Sequence, residues 1–295
     1  MTIETFMFVL SGGVVLGALY ALMASGLAVV WTTLGIFNFA HGAFIAFGAY
    51  IGWQFANIDG FGLGHFAGVP AALFLMFLFG VLFHLVLVKP FERKANIVTA
   101  SVITTLAGAA ILENGIQLLW GPRSKRIDPV FDGKMEIGGV ILSYNDLVLV
   151  LLVGICLTAV GLFLHKSRYG RSMRAVAQNR EAAELMGLNV PLLYAVAFGL
   201  SAAMAGLAGY FVGSIRFINP TMGTDPLMKA LIVVIFGGVA RYTSPIYAAF
   251  IVGLIESFTT FYIGLYWSPA VLFALMMIVL TLKPEGLFGN HQRTL

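Results

Sequence analysis

Six polar side chains stand inside apolar runs, where a charge or an unpaired amide is costly: Asn38, His41, Glu113, Asn114, Gln117 and Glu256. A carboxylate there can neutralise a cation, such as an ammonium group of a solute or a lysine of a neighbouring helix. Glu113 and Gln117 are four residues apart, so a helix would carry both on one face. Glu256 has Ser257, Thr259 and Thr260 close by and could instead pair with Arg216, Lys229 or another helix. Asn38 and His41, bracketed by Gly35 and Gly42, either line a path or make hydrogen bonds between helices. Catalytic patterns are missing. The sequence has no GxxxxGK[ST] phosphate loop, no HExxH and no cysteine cluster, its one cysteine being Cys156 within an apolar run. Neither ATP hydrolysis, metal binding nor a cofactor is expected of this chain, and its histidines and acids are too scattered for a hydrolytic triad.

These residues need elements to hold them, and composition says what kind. Of 295 residues 60% are hydrophobic and 10% charged, with a mean hydropathy of +0.95. Soluble domains carry about 25% charged residues, so too few remain here to cover a water-facing exterior. Lipid must be the solvent, and an all-α polytopic transmembrane bundle is the expected fold. With about 20 apolar residues needed per crossing, nine segments are read: Phe6–Val30, Ile36–Ala56, Val69–Val88, Ile97–Leu119, Leu147–Leu164, Leu192–Ser214, Leu227–Val239, Ile246–Gly264 and Ala270–Leu282. Leu227–Val239 and Ala270–Leu282 are short, so the count is eight to ten. Small residues spaced as in Gly13–Gly17 and Gly209–Gly213 suit close helix contact. The polar stretches are too short for a second core, which predicts one membrane domain over residues 1–295.

Basic residues set the orientation. Lys166, Arg168, Arg171, Arg174 and Arg180 crowd the stretch 165–190; Lys89, Arg93 and Lys94 form a second cluster, and Lys283 and Arg293 mark the tail. Nine crossings place all three on one side, which the positive-inside rule makes cytoplasmic, with the N-terminus outside and the C-terminus inside. Only Glu4 is charged before the first apolar run, so that run is expected to be a span rather than a cleaved signal. The bilayer accounts for the net charge of +4 without nucleic acid. The loop Gly121–Asn145 argues the other way: it carries Arg123, Lys125, Arg126 and Lys134 yet falls outside, accompanied by Asp128, Asp132, Glu136, two prolines and the pair Gly138–Gly139.

Within the basic loop, Met173–Leu188 is rich in helix formers and Gly187 is placed to end the helix. Ala175, Ala182, Ala183, Leu185 and Met186 would give it a small apolar face with a charged rim, suited to docking in a groove. Glu181-Ala182-Ala183, three residues, then Gly187 resembles the EAA–xxx–G signature of ABC importer permeases, whose coupling helix sits in a cleft of the ATPase. Gly17–Gly42, ending in Asn38-Phe39-Ala40-His41-Gly42, resembles the branched-chain amino-acid permease family (LivH-like). So do Gly237-Gly238, Gly253-Leu254-Ile255-Glu256 and the closing Lys283–Gly289 run, KPEGLFG. One departure is Arg241 and Pro245, which stand where relatives have small residues. The resemblance implies a permease of the larger importer type in a bacterial inner membrane. It would work with a second related permease, two ATPases and an extracytoplasmic solute-binding protein. It also implies ATPase coupling through Arg174, Glu181, Ala182, Ala183 and Gly187, and branched-chain amino acids, or related urea, amide or aromatic-acid solutes, as cargo. An ion-coupled transporter would need paired intramembrane charges and an inverted repeat, and neither is evident.

Overall fold

Apolar runs of this length satisfy their backbone groups in lipid only by forming helices, and the chain is built almost wholly of them. The computed structural model describes residues 3–92, 97–131, 133–137, 140–239 and 242–289. Arg93, Lys94, Asp132, Gly138, Gly139, Arg241 and Arg293, invoked above, lie outside these. The helices are α1 (Ile3–Leu34), α2 (His41–Ala56), α3 (His65–Phe83), α4 (Ile97–Trp120), α5 (Tyr144–Lys166), α6 (Arg168–Gln178), α7 (Arg180–Leu185), α8 (Val190–Ile215), α9 (Thr224–Gly237), α10 (Ser244–Tyr262) and α11 (Ser268–Leu282). A π-helical turn, His84–Val88, and a 3-10 turn, Lys89–Phe91, extend α3. The loop Gly121–Asn145 contains a hairpin, β1 (Lys134–Ile137) and β2 (Val140–Ser143), with Lys134 opposite Ser143.

All nine expected segments are helical. Among the described residues seven helical stretches are long and apolar enough to cross a membrane, the last being Leu265–Leu282. The other two segments are α2 and α9, at 16 and 14 residues. α2 starts at His41 rather than Ile36, because Gly35 leaves α1 with φ of 71° and Asn38–Ala40 forms a turn, the Asn38 carbonyl accepting from His41 N–H at 3.2 Å. All but three residues of α2 are buried. A helix too short to cross is tolerated when protein surrounds it in this way.

The chain divides into two compact units. One comprises Gly26–Asp128 and Thr158–Leu227, and α2, α3 and α8 form its core. Glycine makes these contacts close: a Cβ on Gly48 would fall 2.2 Å from the Gly206 Cα, and one on Gly209 would fall 1.9 Å from the Ile45 carbonyl oxygen. Edge-on rings fill the next layer, Phe44 against Phe83 at 4.8 Å and against Phe79 at 5.6 Å. Trp120 ties α4 to α2 by donating from Nε1 to Gln54 Oε1 at 2.8 Å.

The other unit comprises Met1–Ser25, Pro129–Leu157 and Met228–Leu295. Here α1 meets α10 through Gly13 against Leu254 and Gly17 against Phe250. The KPEGLFG tail folds onto the end of α9, where Leu287 N–H donates to the Phe236 carbonyl at 2.8 Å and Phe288 N–H to that of Gly237 at 3.2 Å. The double glycine and the closing motif thus meet in space. Pro245 sits in the first turn of α10, where its missing N–H costs no helical hydrogen bond.

Candidate coupling and translocation sites

The basic stretch Met173–Leu188, read as one helix, is two. Asn179 separates α6 from α7 because its side chain caps the second, Oδ1 accepting from Ala182 N–H at 2.9 Å. Ser167 likewise caps α6, accepting from Gly170 N–H at 2.9 Å. Gly187, at φ of 83°, ends α7, while Leu188 N–H returns to the Ala183 carbonyl at 3.1 Å. The apolar face is therefore narrower than the sequence suggests. Ala183 turns inward and is buried, whereas Ala175 and Ala182 stay exposed and Leu185 and Met186 project, 88% and 83% exposed. Glu181 lies in the first turn of α7, where its charge suits the helix dipole. Arg174 reaches back and donates to the Leu164 and His165 carbonyls, closing the open end of α5.

A connection that the sequence reading missed runs from α7 to the end of α3. Arg180 donates from Nη1 to the Glu92 carbonyl at 2.9 Å and lies 5.5 Å from the centre of the Tyr194 ring. The Glu92 carboxylate meets His84 Nε2 at 2.5 Å, and both side chains are buried. No period links these residues, since their partners lie 8 and 88 positions apart. The available signal was a histidine inside an apolar run followed by an acid beside Pro90.

Of the six intramembrane polar residues, Asn38 and His41 are fully buried. His41 Nδ1 faces Ser201 Oγ of α8 at 3.3 Å, and its ring packs on Gly26. Asn38 Oδ1 accepts from Ala40 N–H at 3.0 Å, while its Nδ2 is buried with no partner among the described residues. Glu113 is half-buried on α4; Asn114 and Gln117 beside it are exposed, Asn114 donating back to the Ala110 carbonyl at 2.7 Å. Glu256 is buried and doubly engaged, by Lys229 Nζ at 2.8 Å and by the Tyr20 hydroxyl. Of the pairings open to it from sequence, the one with Lys229 is formed. The structure thus brings together Asn38 with His41, and Glu113 with Gln117, but places Glu256 in the other unit from both.

The family described as the permease component of the branched-chain amino acid transport system matches residues 9–280. The chain belongs to that family. The permease is 28% identical to the high-affinity branched-chain amino acid transport system permease protein LivH of Escherichia coli K12, over 98% of both chains. It is 26% identical to the corresponding BraD protein of Pseudomonas aeruginosa, over 96% of this chain and 95% of that one. A probable LivH of Methanocaldococcus jannaschii is 25% identical over 95% and 92%. No solved structure matches the permease. As a transport component it is a conduit and not an enzyme, which suits a polar inventory spent on buried pairs and helix caps.

Proposed function

We propose that this permease forms, with a second related permease, the membrane core of an importer for branched-chain or similarly small amphipathic amino acids. Two cytoplasmic ATPases drive it and an extracytoplasmic binding protein delivers the solute. The N-terminus lies outside and the C-terminus in the cytoplasm, and residues 1–295 act as one membrane domain in the inner membrane. The stretch 165–190 is the coupling loop, in which Glu181, Ala182, Ala183 and Gly187 shape the docking knob and Arg174 fixes its base.

The observation that carries this reading is the knob itself. Leu185 and Met186 stand in the open at the tip of a one-and-a-half-turn helix that Arg180 ties to the extension of α3. Exposed apolar side chains on a rigidly held tip suit a partner groove. The sequence offers no nucleotide loop of its own, so the motor is a separate chain. On α4 the exposed stripe of Asn114 and Gln117, next to Glu113, is expensive against lipid and suits the facing permease and the pathway between the two. Asn38 and His41 brace the helices at its side, and Glu256 holds the bundle together.

Replacing Gly187 with Trp, or Ala182 with Asp, should leave the amount of protein in the membrane unchanged, abolish uptake and prevent copurification of an ATPase. Normal uptake by either variant would remove the coupling role. Orientation is checked in a Cys156→Ala background: Ser124→Cys should react with an impermeant thiol reagent from outside and Ala177→Cys only after permeabilisation. The reverse pattern would invert the topology.

A further inference from the structure

The loop that resisted the charge rule forms part of an open cavity of about 750 Å³, bounded by the end of α2, the segment after α4 and the segment after α8. All of its walls belong to the unit built on α2, α3 and α8. The walls are pinned. Lys125 and Ile218 exchange backbone hydrogen bonds at 3.0 and 2.9 Å, and Ile127 N–H donates to the Gly213 carbonyl at 3.0 Å.

Asn57 sets one side of the lining. Its Nδ2 donates to the Arg126 carbonyl at 3.0 Å and to Asp128 Oδ2 at 3.1 Å. Both partners are acceptors, which fixes the amide orientation and commits both amide protons. Its Oδ1 has no partner among the described residues and faces protein rather than the cavity, on a residue only 7% exposed. Asp128, positioned by its bond from Asn57, and Asp59 lie on the lining, and their carboxylates suit a cation.

The same cavity carries the opposite charge as well. Arg123, Lys125 and Arg126 line it, with Lys125 Nζ held 3.8 Å from the centre of the Trp53 ring. Arginine suits a carboxylate through its forked donors. The exposed side chains of Ile58 and Phe217 supply an apolar wall. The carboxylates of Asp59 and Asp128 for an ammonium, guanidinium groups for a carboxylate and a greasy wall together describe a free amino acid with an apolar side chain. A neutral polyol would leave the charges unanswered.

We infer that this cavity is a landing site for a zwitterionic amino acid at the outer mouth of the permease, entered before translocation. The inference rests on the proposed orientation and cargo. It gives the basic residues of the outer loop a task that justifies their place on the disfavoured side of the bilayer.

The test is titration calorimetry on the full-length purified protein in detergent. The probes are L-leucine, leucinamide, which keeps only the ammonium, and 4-methyl-2-oxopentanoate, which keeps only the carboxylate. Leucine should bind, and each half-charged analogue should bind at least about tenfold more weakly. Asn57→Leu and Arg123→Ala should each weaken leucine binding by about tenfold; Arg123 is exposed, so its variant should unfold at the wild-type temperature. Absent leucine binding, equal affinity for the analogues, or unchanged leucine affinity in Arg123→Ala would overturn the site. Uptake by the complete importer separates the two readings. If wild type binds leucine but does not carry it, the cargo proposal falls and the site stands. If it carries leucine with the same KM in Arg123→Ala, the site falls and the cargo proposal stands.

Discussion

Each unit buries one carboxylate against one basic side chain, and the two pairs are built for different ends. Glu256 on α10 meets Lys229 of α9 and the Tyr20 hydroxyl of α1, so all three groups sit on helices of the membrane bundle. Glu92 meets His84 where α3 loosens into its π-helical turn, and its backbone carbonyl is gripped by Arg180 from a surface helix. The first pair cross-links helices within its unit. The second is reached by a side chain whose own helix presents Leu185 and Met186 to solvent. Similar chemistry serves as a fastener in one place and, under the coupling role proposed above, as a relay in the other, and the distinction lies in what touches the acid from outside. Turns of the π type recur at functional positions, in keeping with a relay at His84.

Sharp tests of that contrast begin with the fastener. Glu256→Gln leaves Lys229 buried without its counter-charge, and should cost about 3–5 kcal/mol. It should appear as a large drop in the detergent melting temperature or as loss of the protein from the membrane. Replacing both partners, Lys229→Met with Glu256→Leu, should recover most of that loss, and failure to recover any would mean that the pair does more than hold helices together.

Next comes the relay. Arg180→Ala should lower stability by about 1–2 kcal/mol and cut uptake by about tenfold with ATPase binding retained. Equal uptake would reduce Arg180 to a surface tie. Gly187→Ala isolates backbone strain, because a Cβ there meets nothing within 4 Å yet φ is 83°. A stability loss near 1 kcal/mol is expected, far milder in uptake than the Trp variant. Smallest is Glu184→Ala, which removes a part-exposed ion pair with Arg180 at 3.2 Å; a shift of at most about 0.5 kcal/mol by thermal unfolding is expected. A larger shift would show that Glu184 holds Arg180 in place for Glu92.

Much of the fold could be read from the sequence, because lipid makes long apolar runs unambiguous; each of the nine segments became a helix. Their ends were less legible. The run beginning at Ile36 looks continuous with α2, but the Asn38–Ala40 turn and the left-handed Gly35 delay the helix to His41. The break at Asn179 depended on one side chain bonding its own backbone, a local choice that composition hides. Glu256 was visible as a costly intramembrane charge with several partners open to it, and only the structure selects Lys229 from among them. His84, Glu92 and Arg180 gave no such warning, because their link crosses from an apolar run to a basic loop far along the chain. Ala183 was placed on the docking face from its neighbours, whereas one helical step in a six-residue helix was enough to turn it inward.

Enclosure of α2 also bears on how the protein is made. Its closest neighbour across Gly48 is α8, which leaves the ribosome long after α2 does. At synthesis rates of roughly 5–20 residues per second that interval is on the order of ten seconds. During biogenesis α2 must therefore be sheltered by the insertion machinery or by α3 and α4, and its seat in the bundle is completed only when α8 arrives.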